Sequence, residues 1–331
     1  DKGYERLTER VAEAIAAGMD IAALKNYTEI WVDHIVEVKP TGKTGGKVVW
    51  EWHLWDHYVQ DHDPTKANFG DVKNSPGKLD INYQALFQDG DDISHFNSVQ
   101  YNPELDQILV SIWATHEVAV IDHSTTTAQA MGSTDGKQGK GGDLLYRWGN
   151  PSAYRTGVNQ DRHLHSQHDA TWIPKGYPGA GNLLVFNNGI GRTGGHAASV
   201  DEIVTPVTAK GAYPLTKGMP YGPTALKWTY TAPNLLTVVG GSAQRLKGGN
   251  TLISSAMSGR IVEVTPAGKV VWHYVNPVTS VGPVKQGHTF TSPEQSKAPI
   301  IMKARRYPPD HPGIKKLPLK VQGYVELPSG N

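Results

Sequence analysis

The stretch that decides the architecture lies near the end of the chain. It reads Gly249-Asn250-Thr251-Leu252-Ile253-Ser254-Ser255, then Arg260-Ile261-Val262-Glu263-Val264, a turn at Pro266-Ala267-Gly268, and Lys269-Val270-Val271-Trp272-His273-Tyr274. Each run is short, β-branched or aromatic, and bounded by Gly, Asn or Pro, the pattern of strands joined by turns. Trp272 and Tyr274 are two positions apart, so both rings fall on one face of a strand. The same ending recurs at Val49-Trp50-Glu51-Trp52, Leu145-Tyr146-Arg147-Trp148 and Lys227-Trp228-Thr229-Tyr230. Each copy follows a β-branched run: Asp33 to Val38, Glu117 to Asp122 and Ser199 to Val204 match Arg260 to Val264. A four-stranded sheet repeated every ~40–50 residues with an aromatic signature predicts a β-propeller blade, and hence an all-β fold. The alternative is a β-sandwich of Greek-key strands. There the aromatic ending would not return with the same partner strand each time.

Working outward, the copies are unevenly spaced. Gly/Asp/Lys/Pro-rich insertions at roughly 53–92, 124–142 and 205–225 read as loops on one face. Leu7, Val11 and Ile15 recur at helical spacing, which predicts a helix over Glu5 to Leu24. Residues 305–331 read as an extended Pro- and Lys-rich tail wrapping the body. The expectation is therefore one β-propeller domain over 1–331, with a helical lead-in to about residue 25, blades over 26–304 and that tail. Trp50 and Trp272, in register, are expected to be buried structural residues.

Composition limits what such a chain does. Thirty-two Lys+Arg against 31 Asp+Glu leave a formal charge of +1, too balanced for a nucleic-acid or anionic-membrane surface. The apolar share of 38% and nine Trp suffice for a core, and 331 residues call for a modular one. No cysteine is present, which excludes disulfides, zinc–thiolate sites and cysteine nucleophiles. No apolar run reaches the ~18 residues of a membrane span.

Of fourteen histidines, two stand where the repeat gives them meaning. His95, in Ser94-His95-Phe96-Asn97, and His168, in Gln167-His168-Asp169-Ala170, each precede a strand at the same place in the repeat. Gly241-Ser242-Ala243-Gln244-Arg245 is the third such place. Polar residues on the innermost strands of consecutive blades converge on an axial pocket, where a neutral imidazole serves as base or nucleophile. His168 beside Asp169, and His95 with Asn97, could thus supply nucleophile, acid and anion-binding donors; ordered polar side chains without chemistry are the alternative. Arg192, in a turn after an inner strand, is a candidate anion ligand or a surface arginine. His53, His57, His62 and Asp63, or His163 and His165 with His168, could ligate a metal, though a solvated insertion and a strand edge fit them better. Gly139-Lys140-Gly141-Gly142 lacks the strand and helix of a phosphate loop.

Together, His95-x-Asn97-Ser98-Val99, Gly142-Asp143-Leu144-Leu145-Tyr146-Arg147-Trp148-Gly149-Asn150-Pro151, Gln167-His168-Asp169-Ala170, Val200-Asp201-Glu202-Ile203-Val204 and Ser242-Ala243-Gln244-Arg245-Leu246 resemble the bacterial arylsulfotransferase family. The resemblance runs from about Glu13 to about Tyr307. It implies a six-bladed propeller that moves a sulfuryl group from a phenolic sulfate ester to a phenol, without the nucleotide sulfate donor or any other cofactor. It further implies a sulfated-histidine intermediate at His168, sulfate binding by His95 and Asn97, and a periplasmic or extracellular setting. Two departures stand out. Trp113 occupies the place of a family arginine. About four blades and part of a fifth are present, so a preceding segment or a second copy would be needed to complete the ring. The rival functions are a non-catalytic propeller, which Trp113 favours, and a metalloprotein.

Overall fold

The runs marked by the repeat are strands, each ended by the Gly, Pro or Asn that bounds it in sequence. The computed structural model of the chain describes residues 4–8, 29–83, 92–235, 237–290, 299–318, 320–321 and 323–329. In chain order its elements are β1 (Tyr4–Thr8), β2 (Glu29–Pro40), β3 (Gly46–His53), β4 (Tyr58–Val59), β5 (Leu79–Asp80), β6 (Phe96–Asn102), β7 (Gln107–Ile112), β8 (Glu117–Asp122), α1 (Thr127–Ala130) and β9 (Tyr146–Trp148). They continue with β10 (His168–Trp172), β11 (Leu183–Asn187), β12 (Ser199–Ile203), β13 (Trp228–Thr231), β14 (Ser242–Arg245), β15 (Thr251–Ser255), β16 (Arg260–Val264), β17 (Val270–Val275), β18 (Val278–Thr279) and β19 (Gly282–Pro283). β6–β9, β10–β13 and β14–β17 form four-stranded sheets in which every strand pairs with the next in sequence; β1–β3 form a three-stranded one. These are propeller blades, and the chain is all-β as its repeat predicts.

The chain divides into two compact units, one of residues 1–170 with 205–225, the other of 171–204 with 226–331. In the first, Val32, Trp50 and Trp52 from the β1–β3 sheet pack with Ile108, Val110, Ile112, Ala119 and Ile121 of β7 and β8. In the second, Leu184, Phe186 and Val200 pack with Ala243, Ile253, Val262 and Val264. The middle strands β7, β8, β11, β12 and β15 are buried at every position, which is why they read as near-continuous apolar runs. Acidic residues within them are matched. Glu117 of β8 accepts from Arg147 Nε of β9 at 2.8 Å, with both side chains fully buried.

The insertions differ from the expected loops. Leu54, Tyr58, Val59, Leu79 and Ile81 are buried, and β4 pairs in parallel with β5. Residues 124–142 carry α1, whose capping box joins Thr126 and Gln129. For the second and third insertions the reason is that each closes over an aromatic pair. Trp50 Nε1 donates to Thr125 Oγ1 (3.2 Å) and Trp52 Nε1 to the Gly142 carbonyl (2.8 Å). Tyr146 Oη donates to the Gly222 carbonyl (2.9 Å) and Trp148 Nε1 to the Pro223 carbonyl (2.8 Å). A buried donor left unmatched costs about 1–3 kcal/mol, so these Gly- and Pro-borne carbonyls belong to the core. At Gly142 a Cβ would lie 2.0 Å from the Ala130 carbonyl oxygen, so only glycine permits the approach.

Three other expectations change. Tyr4–Thr8 is a strand paired antiparallel with β2 (Tyr4↔Asp33 to Thr8↔Glu29), not the start of a helix; the rest of the expected helix lies outside the described residues. Trp272 is 42% exposed, against 4% for Trp50, because no insertion among the described residues covers it. The tail begins by running beside β14: Ala304 N donates to Ser242 Oγ (3.0 Å) and Arg306 N to Gln244 Oε1 (2.7 Å). It then folds through turns over 309–317.

Candidate functional site

His95 ends the irregular segment before β6, and its shape is set by two carboxylates. Asp92 accepts from the His95 backbone N–H through Oδ1 (2.9 Å) and contacts its Nδ1 through Oδ2 (2.6 Å). Asp33 of β2, almost fully buried, accepts from Ser94 Oγ (2.5 Å) and from Phe96 N (2.9 Å). These bonds hold His95 at φ 53°, a left-handed conformation that a non-glycine residue adopts only under such constraint. Burial pushes the Asp33 carboxyl up to about 7. The hydrogen bond that Asp92 accepts from His95 raises the His95 pKa above the ordinary histidine value, against the opposing effect of burial. A carboxylate on Nδ1 makes that nitrogen the donor and turns Nε2 outward.

Asn97 is the bulge residue of β6: Phe96 pairs with Ile112 and Ser98 with Ser111, which leaves Asn97 out of the ladder. Bulges re-aim side chains. Asn97 Nδ2 donates to the Gln167 carbonyl at 2.7 Å, across 70 positions, and Asn97 Oδ1 is buried with no hydrogen-bond partner. One residue on, Ser98 Oγ accepts from Ala170 N at 3.0 Å. The start of β6 is thereby stitched to both sides of His168.

Gln167 fixes the same place from below. Its Nε2 donates to the Ile112 carbonyl (3.0 Å) and the Glu117 carbonyl (2.8 Å), closing onto the β7–β8 turn. In that turn Trp113 N donates to the His95 carbonyl (3.1 Å), and the Trp113 ring lies 5.7 Å from the His95 ring. His116, also left-handed at φ 58°, accepts from Ser166 N through Nδ1 (2.9 Å), so its proton sits on Nε2. Burial, helped by Arg162 and His165, drops the His116 pKa to about 3 and keeps it neutral. His168 Nδ1 meets the Ser166 carbonyl at 3.2 Å. A carbonyl can only accept, so Nδ1 carries a proton in this contact. Ser166 and Asp169 are left-handed as well, both at φ 56°. Four of the seven non-glycine residues with positive φ among the described residues, His95, His116, Ser166 and Asp169, thus lie around His95 and His168; Asp106, Asp135 and Arg155 lie elsewhere.

Of the sequence candidates, His95, Asn97, Trp113, His168 and buried Asp169 belong to the first unit; the contacts above join His95 to Trp113, and Asn97 to the residue before His168. Arg192 belongs to the second unit, where its guanidinium donates to Ser199 Oγ (3.2 Å) beside Asp201. No group of metal-ligating side chains occurs among the described residues. His57 is structural instead: its ring stacks on Trp52 at 5.2 Å and bridges Asp143 Oδ1 and the Ala130 carbonyl, each at 2.8 Å. His163 stacks on Trp148 at 5.0 Å. Sequence reasoning passed over Asp92, Asp33 and Gln167; the one local signal was an acidic residue three positions before His95.

A family model described as Arylsulfotransferase (ASST) matches residues 14–211, more than half of the chain. No curated protein matches. Among solved structures, a protein of unknown function from Bacteroides caccae is similar at 14% identity, over 73% of this chain and 57% of that one, with a TM-score of 0.33. The Cps50 (Swd1) beta-propeller domain of Myceliophteria thermophila is similar at 11% identity, over 76% and 58%, with a TM-score of 0.38. Virginiamycin B lyase from Staphylococcus aureus follows at 9% identity, over 56% of each chain, with a TM-score of 0.27. The chain spans less than three-fifths of the length of each of these proteins.

Proposed function

The chain belongs to the arylsulfotransferase family, and from that premise we propose that it transfers a sulfuryl group from a phenolic sulfate ester to a phenol through His168. The observation that carries this reading is the 2.7 Å bond from Asn97 Nδ2 to the Gln167 carbonyl, which ties the sulfate-binding motif to the residue before His168. In the first half-reaction the His168 Nε2 lone pair attacks sulfur. The S–O bond to the aryl group breaks, and the phenolate leaves with its electron pair. In the second, an acceptor phenol gives its proton to water, which offsets the phenolate released in the first, and attacks the same sulfur; the N–S bond breaks and its pair returns to Nε2. The Nδ1–H held by the Ser166 carbonyl favours this route, since it fixes the nucleophilic tautomer and stabilises the ring as charge develops.

The sulfuryl oxygens gain negative charge in the transition state and need fixed donors. His95 supplies Nε2–H when protonated, and Asp92 holds a larger share of it protonated at neutral pH. In this reading the Asp92–His95 pair provides the positive charge that Trp113 cannot. Asn97 adds an uncharged donor. Trp113 also favours a second reading, a binding propeller without turnover. The family suggests an extracytoplasmic setting, and no helix among the described residues is long and apolar enough to cross a membrane. Incubating the protein with a chromogenic aryl sulfate and a phenol decides between the two readings. Turnover that His168→Ala abolishes, with an unchanged melting profile, is expected; absence of turnover in the unaltered protein favours the binding module.

A further inference from the structure

Two blades carry the same three-part contact, and a third sheet has only two of its parts. In β12 and β13 the register partners Glu202 and Trp228 meet Arg245 of β14. Its guanidinium donates to Glu202 Oε2 at 2.6 Å and lies 5.4 Å from the Trp228 ring. In β16 and β17 the partners Glu263 and Trp272 meet Arg306, which pairs with Glu263 and lies 4.9 Å from the Trp272 ring. Each arginine sets a planar cation between a carboxylate and an indole, where the ion pair and the ring quadrupole act together. The β1–β3 sheet repeats the first two parts, since Glu37 of β2 is the register partner of Trp50 of β3.

In place of the arginine stands a tyrosine. Tyr101 lies three positions past Ser98 in β6, opposite Ile108, as Arg245 lies three positions past Ser242 in β14, opposite Thr251; the two serines face Ser111 and Ser254. Tyr101 has no charge to offer Glu37, and its hydroxyl donates to Asp106 Oδ1 instead (3.0 Å). His123, at the end of β8, covers part of the position. Its ring lies 4.7 Å from that of Trp50 and its Nδ1 is 2.9 Å from Asp106 Oδ1, but its Nε2 stands 3.4 Å from Glu37. Asp106 is matched, by Lys137 Nζ (2.9 Å) as well as by Tyr101 and His123. The Glu37 side chain is 56% exposed, against 5% for Glu202 and 14% for Glu263. Beside it lies a cavity of about 280 Å³, with Trp50, Tyr101, His123, Ile35 and Val99 in its walls.

We propose that this cavity binds a small organic cation, an amidinium or guanidinium carried on a compact apolar body. The planar cation takes the position that the arginines hold in the other two blades, donating to the Glu37 carboxylate beside the Trp50 and Tyr101 rings. The apolar body covers Ile35 and Val99. Glu37 selects the charge, and the aromatic walls select a flat, weakly hydrated cation over a compact ammonium. The volume is at the lower end for ligand sites, which suits a single ring with its cationic group. The site rests on the comparison between blades and not on the sulfotransfer reading.

Calorimetric titration of the full chain with benzamidine tests it, with the uncharged isostere benzamide as the control. Benzamidine should bind saturably, one per chain. Benzamide should bind more weakly by about tenfold or more, the factor carried by an ion pair together with a cation–ring contact. Glu37→Gln should bring benzamidine down to the level of benzamide. Tyr101→Arg should weaken benzamidine as much, because the added guanidinium competes for Glu37 from within the blade. Both side chains are exposed, so circular dichroism should be unchanged in each variant. Absence of saturable benzamidine binding overturns the proposal. So does equal binding of the two probes, or benzamidine binding that either substitution leaves unaltered.

Discussion

At the scale of single residues, the candidate site is a set of protonation states fixed by neighbours. In the proposed reaction, Asp92 on His95 Nδ1 and the Ser166 carbonyl on His168 Nδ1 give the two imidazoles different work, one to carry charge and one to offer a lone pair. His95 is raised by Asp92, so its cationic form is present below its pKa and lost as pH rises through it. Sulfotransfer should therefore fall on the alkaline side of neutrality. In Asp92→Asn that fall should move to lower pH, with activity nearer the unaltered level in acid. A pH–rate profile whose alkaline limb is the same in both proteins would separate His95 charge from the reaction. Removing a donor to developing oxyanion charge costs about 10²–10³ in kcat, which sets the loss expected for His95→Ala. His95, Asn97 and His168 were legible in the sequence because strand starts recur in the repeat. Asp33, Gln167 and His116 were not. Their roles depend on bonds spanning 50 to 63 positions and on left-handed backbone, which no spacing rule encodes.

At the scale of elements, like sequences meet unlike surroundings. Trp50 and Trp272 occupy the same place in matching strands, yet Thr125 and Gly142 close over the first pair of rings, while Arg306 lies over Trp272 in the second. Trp50→Ala should cost about 3–5 kcal/mol, the range for emptying a core aromatic site, and Trp272→Ala much less. Equal losses on chemical denaturation would mean that the two strands share one environment after all. The insertions were misjudged as loops for a related reason: their Gly and Pro content signals turns, and nothing local shows that those turns accept buried indole protons. The Glu117–Arg147 pair makes the same point for charge. Both are fully buried, so Glu117→Ala strands a guanidinium in the core and should destabilise by about 3–5 kcal/mol. A denaturation midpoint unchanged by that substitution would show that water reaches Arg147.

At the scale of the whole molecule, what sequence reveals best is repetition. Four aromatic endings with matching partner strands identified blades before any coordinate was considered. The candidate site is written less repetitively, in two stitches between β6 and the start of β10 that set Asn97 and Ser98 beside the segment bearing His168. The most direct measurement is to mix the protein with an aryl sulfate, withhold the acceptor, quench under alkaline conditions and map the modification by peptide mass spectrometry. The account predicts a burst of one phenol per active chain and a single sulfuryl group on His168, absent from His168→Ala. Phenol release with no sulfated peptide, or a sulfuryl group on another residue that persists in His168→Ala, would contradict it.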